Sequence, residues 1–415
     1  MNPILIRNIL VLGAGKVGGT VADMLAEVHR VPVTLADREP PRRELGDRLV
    51  RRAVLDAGDD TALAAALDGH EMVINALPFH LAARVAAAAR AHGVHYLDLT
   101  EDVAATRAIR VLADGAEAVL MPQCGLAPGV IGMLGGHLAG RFDDLQSLHL
   151  RVGALSRHAT NRLRYDFTWS IDGVINEYCH PCAAIVQGRA VTVQPLEGLE
   201  TLVLDGECFE AFNTSGGLGT LCETLAGRVR DLDYKTLRYP GHRDAMDLLL
   251  NGLRLGERRD LLRQVLDHAV PHSREDRVIV FASASGLRDG RLEQETRIAR
   301  IHGGRLRGVD RTAIELATAA GVVGVFELLR TGRLPARGFV RQEQVAFDAF
   351  LATRVGRCYA GLDDSGSGDD RAGPTLAHAW PPQADAGQPQ RGLRPPRGQR
   401  PREAREPGGF KRGAA

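Results

Sequence analysis

Short apolar runs alternate with alanine-rich stretches of helical spacing over the first 130 residues of the chain. Each run has the length of a strand buried on both faces, and residues 16–29 show the spacing of a helix with one apolar face. Such strands, alternating with helices, predict a parallel sheet covered on both sides. The predicted strands are residues 9–12, 32–36, 53–55, 72–74, 96–99 and 119–121.

The pattern changes after about residue 143, where longer irregular connections separate the strand-like segments. Those segments are residues 148–152, 202–204, 278–281 and 293–301, and one helical stretch lies at about 243–269. This arrangement predicts a mixed or antiparallel sheet in a second domain. Residues 311–331 then form a long run rich in Ala and Val, which predicts a helix buried between the domains.

Residues 361–415 lack periodicity and consist mainly of Ser, Gly, Asp, Pro, Gln and Arg. Such a segment buries too little apolar surface to offset the entropy lost on ordering, so it is predicted to be disordered. Two other interpretations stay open. A change of reading frame near the end of the gene would produce the same abrupt break in composition, and the arginines would also suit an RNA-binding tail.

Composition narrows the class of protein. The 415 residues are 44% hydrophobic and 25% charged with a formal net charge of +1, which is typical of a globular protein and argues against a nucleic-acid partner. No apolar run approaches the ~20 residues of a membrane span, so no membrane partner is predicted. Arg7 and Asn8 interrupt the N-terminal apolar stretch, which makes a poor signal peptide and predicts a cytoplasmic location.

Cysteine usage predicts reduced thiols, because six cysteines in a chain of this length do not suggest a disulfide framework. Cys179, His180 and Cys182 resemble half of a zinc site. Structural zinc takes four ligands, and no second pair at metal spacing accompanies these residues. The sequence therefore predicts no metal.

A glycine-rich turn joins the first predicted strand to the first predicted helix. Its sequence GAGKVG follows the G-x-G-x-x-G pattern, in which the glycines permit a tight turn, backbone approach to a pyrophosphate and close helix–strand packing. The N–H groups of the helix N-terminus also favour phosphate. The predicted cofactor-binding residues of this turn are Gly13, Ala14, Gly15, Lys16, Val17 and Gly18.

Asp37 ends the second predicted strand, about 20 residues after the turn. A carboxylate at this position accepts hydrogen bonds from the adenosine ribose of NAD and repels the 2′-phosphate of NADP. NAD is therefore the predicted cofactor, and NADP stays open because Arg38 follows directly. A Rossmann-like domain that binds no cofactor is the alternative.

Three further loops follow the fourth, fifth and sixth predicted strands, at the edge of the sheet where a cofactor crevice lies. The first of them would pass over the cofactor, and the other two are predicted to lie near the nicotinamide. The residues singled out in these loops are Asn75, Pro78, Asp98, Glu101, Gly125 and Pro128. Asp98 has a second interpretation as a turn or helix-capping residue.

Lysine is rare in this chain, in which only Lys16, Lys235 and Lys411 accompany the arginines. Lys235 stands in the polar cluster YKTLRYPGH at residues 234–242. Because an ammonium loses its proton more readily than a guanidinium, the retention of a lysine here suggests a chemical role. An ordinary surface lysine is the alternative interpretation.

The same cluster and two other segments are predicted to bind substrate. An arginine in the cluster suits bidentate contact with a carboxylate, and the glycine-rich segment 210–220 offers N–H groups to an anion. Residues 165–170 combine aromatic and polar side chains suited to walls around an alkyl chain. The predicted substrate-binding residues are Arg238, Asn213, Ser215, Tyr165, Trp169 and Tyr239.

Six motifs occur in the order GAGKVG, YLDLTED, CGLAPG, YDFTWSIDGVINEY, EAFNTSGGLGTL and YKTLRYPGH. Together they resemble the saccharopine dehydrogenase-like family over about residues 5–360, and most of all its bacterial lysine 6-dehydrogenases. The resemblance implies a homodimer with an α/β fold. It implies a Rossmann domain at 1–130, an inserted mixed α/β catalytic and dimerisation domain at 131–310, and a helix at 311–360 that rejoins the Rossmann domain.

The resemblance also implies a reaction, the NAD-dependent oxidative deamination of L-lysine at its ε-amine to allysine, ammonia and NADH. Lys235 and His242 are then predicted to transfer or manage protons, and Asp98 or Glu101 to hold the amine or act as base. Two alternatives stay open. One is the reductive condensation of an aldehyde with an amine, as in the similar saccharopine reductase and carboxynorspermidine synthase; the other is a non-catalytic regulator that senses NAD(H).

Overall fold

The computed structural model describes residues 3–39 and 48–362, so nearly all of the predicted tail at 361–415 lies outside the described residues. Within these ranges the strands form two large sheets and one short hairpin. The strands are β1 (Ile9–Leu12), β2 (Val33–Asp37), β3 (Val50–Val54), β4 (Met72–Asn75), β5 (His95–Asp98), β6 (Val119–Met121), β7 (Asp144–Ser156), β8 (Cys182–Val186), β9 (Arg189–Val193), β10 (Glu200–Leu204), β11 (Glu207–Asn213), β12 (Val229–Arg238), β13 (Asp276–Arg288), β14 (Arg291–His302), β15 (Gly304–Leu306), β16 (Val309–Arg311) and β17 (Gly338–Phe339).

The α-helices pack against strands of both large sheets. They are α1 (Lys16–Met24), α2 (Asp60–Leu67), α3 (Ala82–Ala91), α4 (Val103–Leu112), α5 (Val130–Ala139), α6 (Ile171–Cys179), α7 (Leu221–Thr224), α8 (His242–Asp247), α9 (Arg259–Ala269), α10 (Ala313–Arg330) and α11 (Phe347–Leu351). Turns of π-helix continue α1 at Leu25–His29 and α8 at Leu248–Gly252. In the part of the chain that the structure describes, no helix is both long and apolar enough to cross a membrane.

The first sheet is parallel throughout, with the strand order β17-β6-β5-β4-β1-β2-β3. Its central strand β1 is buried at every residue, which explains the continuous apolar run in the sequence. The strand order reverses on the two sides of β1, which pairs with both β2 and β4. A crevice opens at the carboxyl ends of strands at such a reversal, and the predicted Rossmann-type fold is confirmed.

The second sheet has the order β10-β11-β12-β7-β13-β14, with the β8–β9 hairpin attached to β12. Strands β7 and β12 are parallel and the other pairs are antiparallel, so the predicted mixed sheet is also confirmed. Strands β11 and β12 are not among the strands predicted from the sequence, in which residues 210–213 belong to the glycine-rich segment predicted to bind substrate. Both strands carry buried charged side chains, which interrupt the apolar alternation that marks a strand in a sequence.

Helix α10 is the buried helix predicted at 311–331, and it packs against α1 and against β13 of the mixed sheet. Its residues are apolar on nearly all sides, as expected for a helix that is enclosed by protein. Asp276 at the start of β13 accepts hydrogen bonds from the N–H groups of Ala313 at 2.5 Å and Ile314 at 3.0 Å. One carboxylate thus fixes the first turn of α10 to the mixed sheet and satisfies two of its N–H groups.

Candidate active site

The turn between β1 and α1 has two positions at which only glycine fits. A Cβ on Gly18 would lie 1.9 Å from the carbonyl oxygen of Gly13, and Gly13 has a φ of +97° with its Cβ position 2.7 Å from the carbonyl oxygen of Ala76. A Cβ on Gly15, by contrast, would meet no atom within 4 Å. The backbone at Gly15 therefore opens onto space at the N-terminus of α1, which is the shape that a bound pyrophosphate requires.

Asp37 ends β2 beside this turn, and its Oδ2 accepts a hydrogen bond from the N–H of Ala14 at 2.6 Å. The side chain is half-buried, whereas Lys16 and Arg38 are exposed. A carboxylate at the end of the second strand stands where the adenosine ribose is bound in sheets of this kind. The turn, the helix N-terminus and Asp37 together fit a nicotinamide dinucleotide.

A cleft of about 620 Å³ separates the carboxyl edge of the parallel sheet from one face of the mixed sheet. A volume of this order is typical of sites for small molecules. On the nucleotide side it is lined, among others, by Val17, Pro78, Glu101, Gly125 and Pro128. On the side of the mixed sheet it is lined, among others, by Trp169, Glu177, Tyr234, Thr236 and Arg238.

Asn75 lies beneath the loop that follows β4 and does not line the cleft. Its Oδ1 accepts a hydrogen bond from the N–H of Leu77 at 3.2 Å, and its Nδ2 donates to the Tyr96 hydroxyl at 3.2 Å. The side chain thereby fixes the turn that leads to Pro78, which does line the cleft. We infer that Asn75 acts by shaping this loop.

The alternation of side chains along β12 decides which residues of the YKTLRYPGH cluster reach the cleft. Tyr234, Thr236 and Arg238 line it, because every second residue of a strand lies on the same face of the sheet. Lys235 lies on the opposite face, with its Nζ 2.8 Å from Glu200 Oε2 and 3.7 Å from Asp233 Oδ2.

Lys235 belongs to an ion-pair network on that opposite face. Arg151 pairs with both Glu200 and Asp233, and His149 Nδ1 lies 2.7 Å from Asp233 Oδ1. The prediction that Lys235 manages protons in the reaction needs correction, because the sheet itself separates its ammonium from the cleft. The prediction takes the cluster as one unit, whereas its residues lie on two faces of a strand.

Replacing Lys235 with Met is therefore expected to leave turnover within about twofold of wild type while lowering stability by about 1 kcal/mol, since Glu200 and Asp233 are part-exposed and keep Arg151 as a partner. Steady-state rates and thermal unfolding of the same preparation measure both quantities. A loss of turnover beyond tenfold at an unchanged melting temperature would restore the catalytic role.

Arg238 is the only buried cationic side chain among the described residues that line the cleft. Its Nε donates to the Tyr178 hydroxyl at 3.0 Å, and its guanidinium carbon lies 5.1 Å from the centre of the Tyr165 ring. In the described part of the chain no carboxylate pairs with it within 4.0 Å. A buried guanidinium that is held rigidly and has no carboxylate within 4.0 Å among the described residues is suited to bind a carboxylate from a ligand.

His242 supports Arg238 from behind and does not reach the cleft. The ring is wholly buried, with Nδ1 2.9 Å from the carbonyl oxygen of Leu163 and Nε2 3.1 Å from the Tyr178 hydroxyl. Burial, together with the charge of Arg238, lowers the pKa of His242 to about 3. The predicted role of His242 in proton transfer therefore needs correction: the neutral ring donates from Nδ1, accepts from Tyr178 at Nε2, and so positions Tyr178 against Arg238.

Tyr165 and Trp169 form the other support of Arg238. The Trp169 indole N–H donates to the Tyr165 hydroxyl at 3.0 Å, and the Tyr165 ring lies against the guanidinium. Trp169 also lines the cleft, whereas Tyr165 is buried behind it. The structure thus brings both predicted residues to the site, with Tyr165 acting through Arg238.

Asp98 is buried below the cleft and ties two of its loops together. Its carboxylate accepts hydrogen bonds from the Tyr96 hydroxyl at 2.7 Å and from the N–H groups of Thr100 at 3.0 Å and Gln123 at 2.8 Å. Burial raises the pKa of Asp98 to about 7. The predicted contact of Asp98 with substrate is replaced by its second interpretation as a turn residue, which holds the loop that carries Glu101.

Three other predicted substrate residues lie outside the cleft. Asn213 donates from Nδ2 to the carbonyl oxygen of Gln194 at 3.2 Å, and the Tyr239 hydroxyl donates to the carbonyl oxygen of Ser156 at 2.9 Å. Both side chains donate hydrogen bonds to backbone carbonyl groups outside the cleft, so their predicted substrate contacts need correction. Ser215 lines a neighbouring chamber, and its N–H donates to the carbonyl oxygen of Glu177 at 3.0 Å.

Two family profiles match consecutive parts of the chain. Residues 9–120 match the saccharopine dehydrogenase NADP binding domain, and residues 125–354 match the saccharopine dehydrogenase C-terminal domain. The chain belongs to the saccharopine dehydrogenase family. The resemblance drawn from the motifs is confirmed at the level of the family.

Curated relatives within the saccharopine dehydrogenase family are distant in sequence. The mitochondrial alpha-aminoadipic semialdehyde synthase of Rattus norvegicus is 25% identical over 263 residues, which cover 58% of this chain and 28% of that protein. The saccharopine dehydrogenase (NADP(+), L-glutamate-forming) of Pyricularia oryzae is 23% identical over 302 residues, which cover 68% of this chain and 65% of that protein. The chain thus spans less than two-thirds of the length of either relative.

A solved structure agrees with the fold of this saccharopine dehydrogenase family member. The apo saccharopine dehydrogenase (L-Glu forming) of Saccharomyces cerevisiae superposes with a TM-score of 0.69 over 83% of this chain and 96% of that chain. The sequence identity is 18%. The likeness therefore shows a common fold and leaves the substrate to be argued from the site.

Glu177 lines the cleft of this family member and is not among the predicted site residues. It lies on α6, which Ser170 caps by accepting a hydrogen bond from the N–H of Gly173 at 3.1 Å. Burial and the charge of Glu101 raise the pKa of Glu177 to about 8, against the opposing effect of Arg238. Gly173, Asn176 and Glu177 recur at the spacing of one helix face, and this was the signal in the motif YDFTWSIDGVINEY.

The segment of Cys179, His180 and Cys182, which resembles half of a zinc site, makes hydrogen bonds within the protein. His180 Nδ1 lies 2.9 Å from the carbonyl oxygen of Asn176, and Cys182 Sγ lies 3.7 Å from the carbonyl oxygen of His180. Throughout the described ranges, no three His, Cys, Asp or Glu side chains are grouped so that they could hold a metal ion.

Proposed function

We propose that the protein catalyses the NAD⁺-dependent oxidative deamination of the side-chain amine of a diamino acid, with L-lysine as the first candidate. The observation that carries the proposal is the charge pattern of the cleft. Arg238 is its only buried cation among the described residues, while Glu101 and Glu177 both contribute carboxyl groups. A substrate with one carboxylate and one distal amine complements this pattern.

Each of these side chains then has a distinct role. Arg238 binds the α-carboxylate, and Tyr178 and Tyr165 keep its guanidinium in place. Glu101 and Glu177 receive the ammonium end. Only a neutral amine can support loss of hydride from the neighbouring carbon, and neutralising an ammonium of pKa ≈ 10.4 at pH 7 costs about 4.6 kcal/mol.

Glu177 is the group that takes this proton. Its raised pKa, about 8, makes its carboxylate a stronger base than an ordinary glutamate, so proton transfer from the bound ammonium is less unfavourable. The bound dinucleotide supplies the hydride acceptor. The residues of the cleft bind the substrate, orient its amine and hold the proton that the amine releases.

A reductive condensation of an aldehyde with an amine is the second candidate, and the names of the curated relatives favour it. Joining two amino acids in this way places at least two carboxylates in one cleft. The described residues that line the cleft provide one buried cation, and Arg259 and Arg263 lie exposed at its rim. The charge pattern therefore favours deamination.

A spectrophotometric screen tests the two candidates against each other. The purified protein is mixed with NAD⁺ or NADP⁺ and with lysine, ornithine, 1,5-diaminopentane or saccharopine, and absorbance of the reduced cofactor is followed. Lysine-dependent reduction without an added aldehyde or keto acid supports deamination. If the cofactor is reduced only when saccharopine is the substrate, the proposal is replaced by the condensing reaction run in reverse.

The preference between the two dinucleotides is a finer proposal. Asp37 at the ribose position favours NAD, whereas the family profile and the fungal relative are named for NADP. Asp37→Ser is expected to lower kcat/KM for NAD⁺ by about tenfold and to raise it for NADP⁺, because the variant loses the ribose contact and the repulsion of the 2′-phosphate. Arg38→Ala is the matched control, and a wild-type protein that prefers NADP⁺ would refute the proposal.

Homodimerisation through the domain at 131–310 and a cytoplasmic location stay predictions of the sequence. Light scattering of the purified protein measures the first, and cell fractionation measures the second. A mass equal to that of one chain would refute the dimer.

A further inference from the structure

A side chamber of about 440 Å³ lies beside the cleft and shares Glu101, Asn176 and Tyr234 with it. The glycine-rich segment after β11 forms one wall, the first turns of α4 form another, and the β8–β9 hairpin contributes Ala183 and Thr192. Gly217 packs so closely on the Tyr234 ring that a Cβ there would lie 2.3 Å from it. The proposed function gives this side chamber no role.

We propose that the side chamber is the passage by which water reaches, and ammonia leaves, the reacting carbon in the cleft. The inference rests on the proposed oxidative deamination, and it assigns the passage to this chain's own residues.

The reaction needs such a passage because its second half exchanges two small molecules. Loss of hydride from the carbon that bears the amine leaves an iminium. The oxygen of one water then forms a bond to that carbon while the second electron pair of the C=N bond moves to nitrogen, and one proton of this water passes to the nitrogen. The C–N bond breaks, the nitrogen departs as ammonia with the bonding electron pair, the oxygen forms the C=O bond of the aldehyde, and the second proton of the water is released to solvent. Cofactor and substrate occupy the cleft during these steps, so water and ammonia require another route.

The wall of the side chamber carries polar atoms that lack partners. Thr214 Oγ1 and Asn176 Oδ1 are buried, their residues are 2% and 4% exposed, and neither atom has a hydrogen-bond partner among the described residues. Thr214 lines the chamber, and Asn176 stands where the chamber meets the cleft. A hydroxyl and an amide oxygen suit water and ammonia, which donate and accept hydrogen bonds at short range.

The charges around the side chamber do not suit a larger anionic guest such as a second amino acid. Arg110 is paired with Glu223, and Arg107 is exposed at the rim. Among the described residues that line the chamber no cationic side chain is buried, and its shared wall carries the carboxyl group of Glu101. The α-carboxylate of a second substrate would therefore lose its hydration without a buried partner.

Thr192→Trp tests the passage, because Thr192 is exposed and lies on the wall of the side chamber that the β8–β9 hairpin forms. The variant is expected to keep the first-turnover burst of NADH within about twofold, to slow steady-state turnover by about tenfold or more, and to raise the KM for ammonium in the reductive direction. Val191→Trp is the matched control, since Val191 is exposed, adjacent in sequence and on the opposite face of the hairpin. It is expected to behave as wild type.

Thr214→Val provides a second measurement that does not depend on blocking the passage with a bulky side chain. Because the hydroxyl has no partner in the described protein, its removal is expected to leave the melting temperature unchanged or higher, while the KM for ammonium rises by about threefold or more. A raised KM at intact stability supports the passage, since a purely structural residue would not alter it.

Three outcomes would overturn the inference, and they can be told apart. If wild type oxidises lysine and both Thr192→Trp and Thr214→Val match it, the passage alone is refuted. If Thr192→Trp raises the KM of an amino acid co-substrate and leaves ammonium unaffected, the side chamber is instead an amino acid subsite. If wild type forms no NADH from any diamino acid, the proposed function fails and the passage fails with it.

Discussion

Arg238→Gln is expected to lower kcat/KM for lysine by about 10³-fold, chiefly through KM. The reason is that the guanidinium is buried, has no carboxylate partner among the described residues and is fixed by Tyr178 and Tyr165. A neutral amide at this position leaves the substrate carboxylate desolvated without a counter-charge. Steady-state kinetics with lysine as the varied substrate measure the loss.

A diamine distinguishes carboxylate binding from a general disturbance of the site. The compound 1,5-diaminopentane is lysine without its carboxylate, so Arg238→Gln should leave the low activity on the diamine nearly unchanged. Arg238→Lys keeps the charge without the planar fork and is expected to fall between wild type and Arg238→Gln. An equal loss on lysine and on the diamine would show that Arg238 only supports the structure.

The parallel sheet could be predicted from the sequence because its strands obey simple rules. Residues 9–12 and 72–74 are apolar throughout, since both faces of the sheet are covered, and a glycine turn follows the first strand. Strands β11 and β12 could not be predicted from the sequence, for the opposite reason. Glu210, Lys235 and Arg238 are buried in them with polar partners, and a single sequence does not show which partners a charged residue has.

The position of the candidate cleft could be predicted better than the positions of its individual side chains. Arg238 reaches the cleft as predicted, but Lys235 lies on the other face of the same strand. Strand alternation would have separated the two once residues 229–238 were taken as a strand. The neutral state of His242 could not be predicted, because it depends on complete burial beside Arg238.

The surroundings of the acidic side chains at the site could not be predicted from the sequence either. Asp98 was singled out because it ends a strand, and the structure places it under the loops, where three hydrogen bonds hold it. Glu177 is on a helix that lines the cleft, and its raised pKa comes from burial and from the charge of Glu101, against the opposing effect of Arg238. These are effects of tertiary structure, which brings together residues that lie far apart in the sequence.

Stability gives a test of Glu177 that is independent of substrate. Because its pKa is raised from the ordinary 4.5 to about 8 in the folded protein, the folded state holds a proton that the unfolded state has lost across this interval. The contribution of this group to stability is fully present below pH 4.5 and is lost as the pH rises through about 8. Glu177→Gln should therefore gain stability relative to wild type above pH 8, which unfolding at several pH values measures.

The same substitution is expected to lower kcat for lysine by about 10²-fold to 10⁴-fold, because the amide cannot take the proton of the bound ammonium. In wild type, kcat/KM should rise as Glu177 loses its proton and fall as the pH drops through about 8. Glu177→Gln should lack this limb of the pH profile and keep only the titration of the amine substrate itself. Glu101→Gln is the matched control: if that variant loses the limb and Glu177→Gln retains it, Glu101 rather than Glu177 is the base.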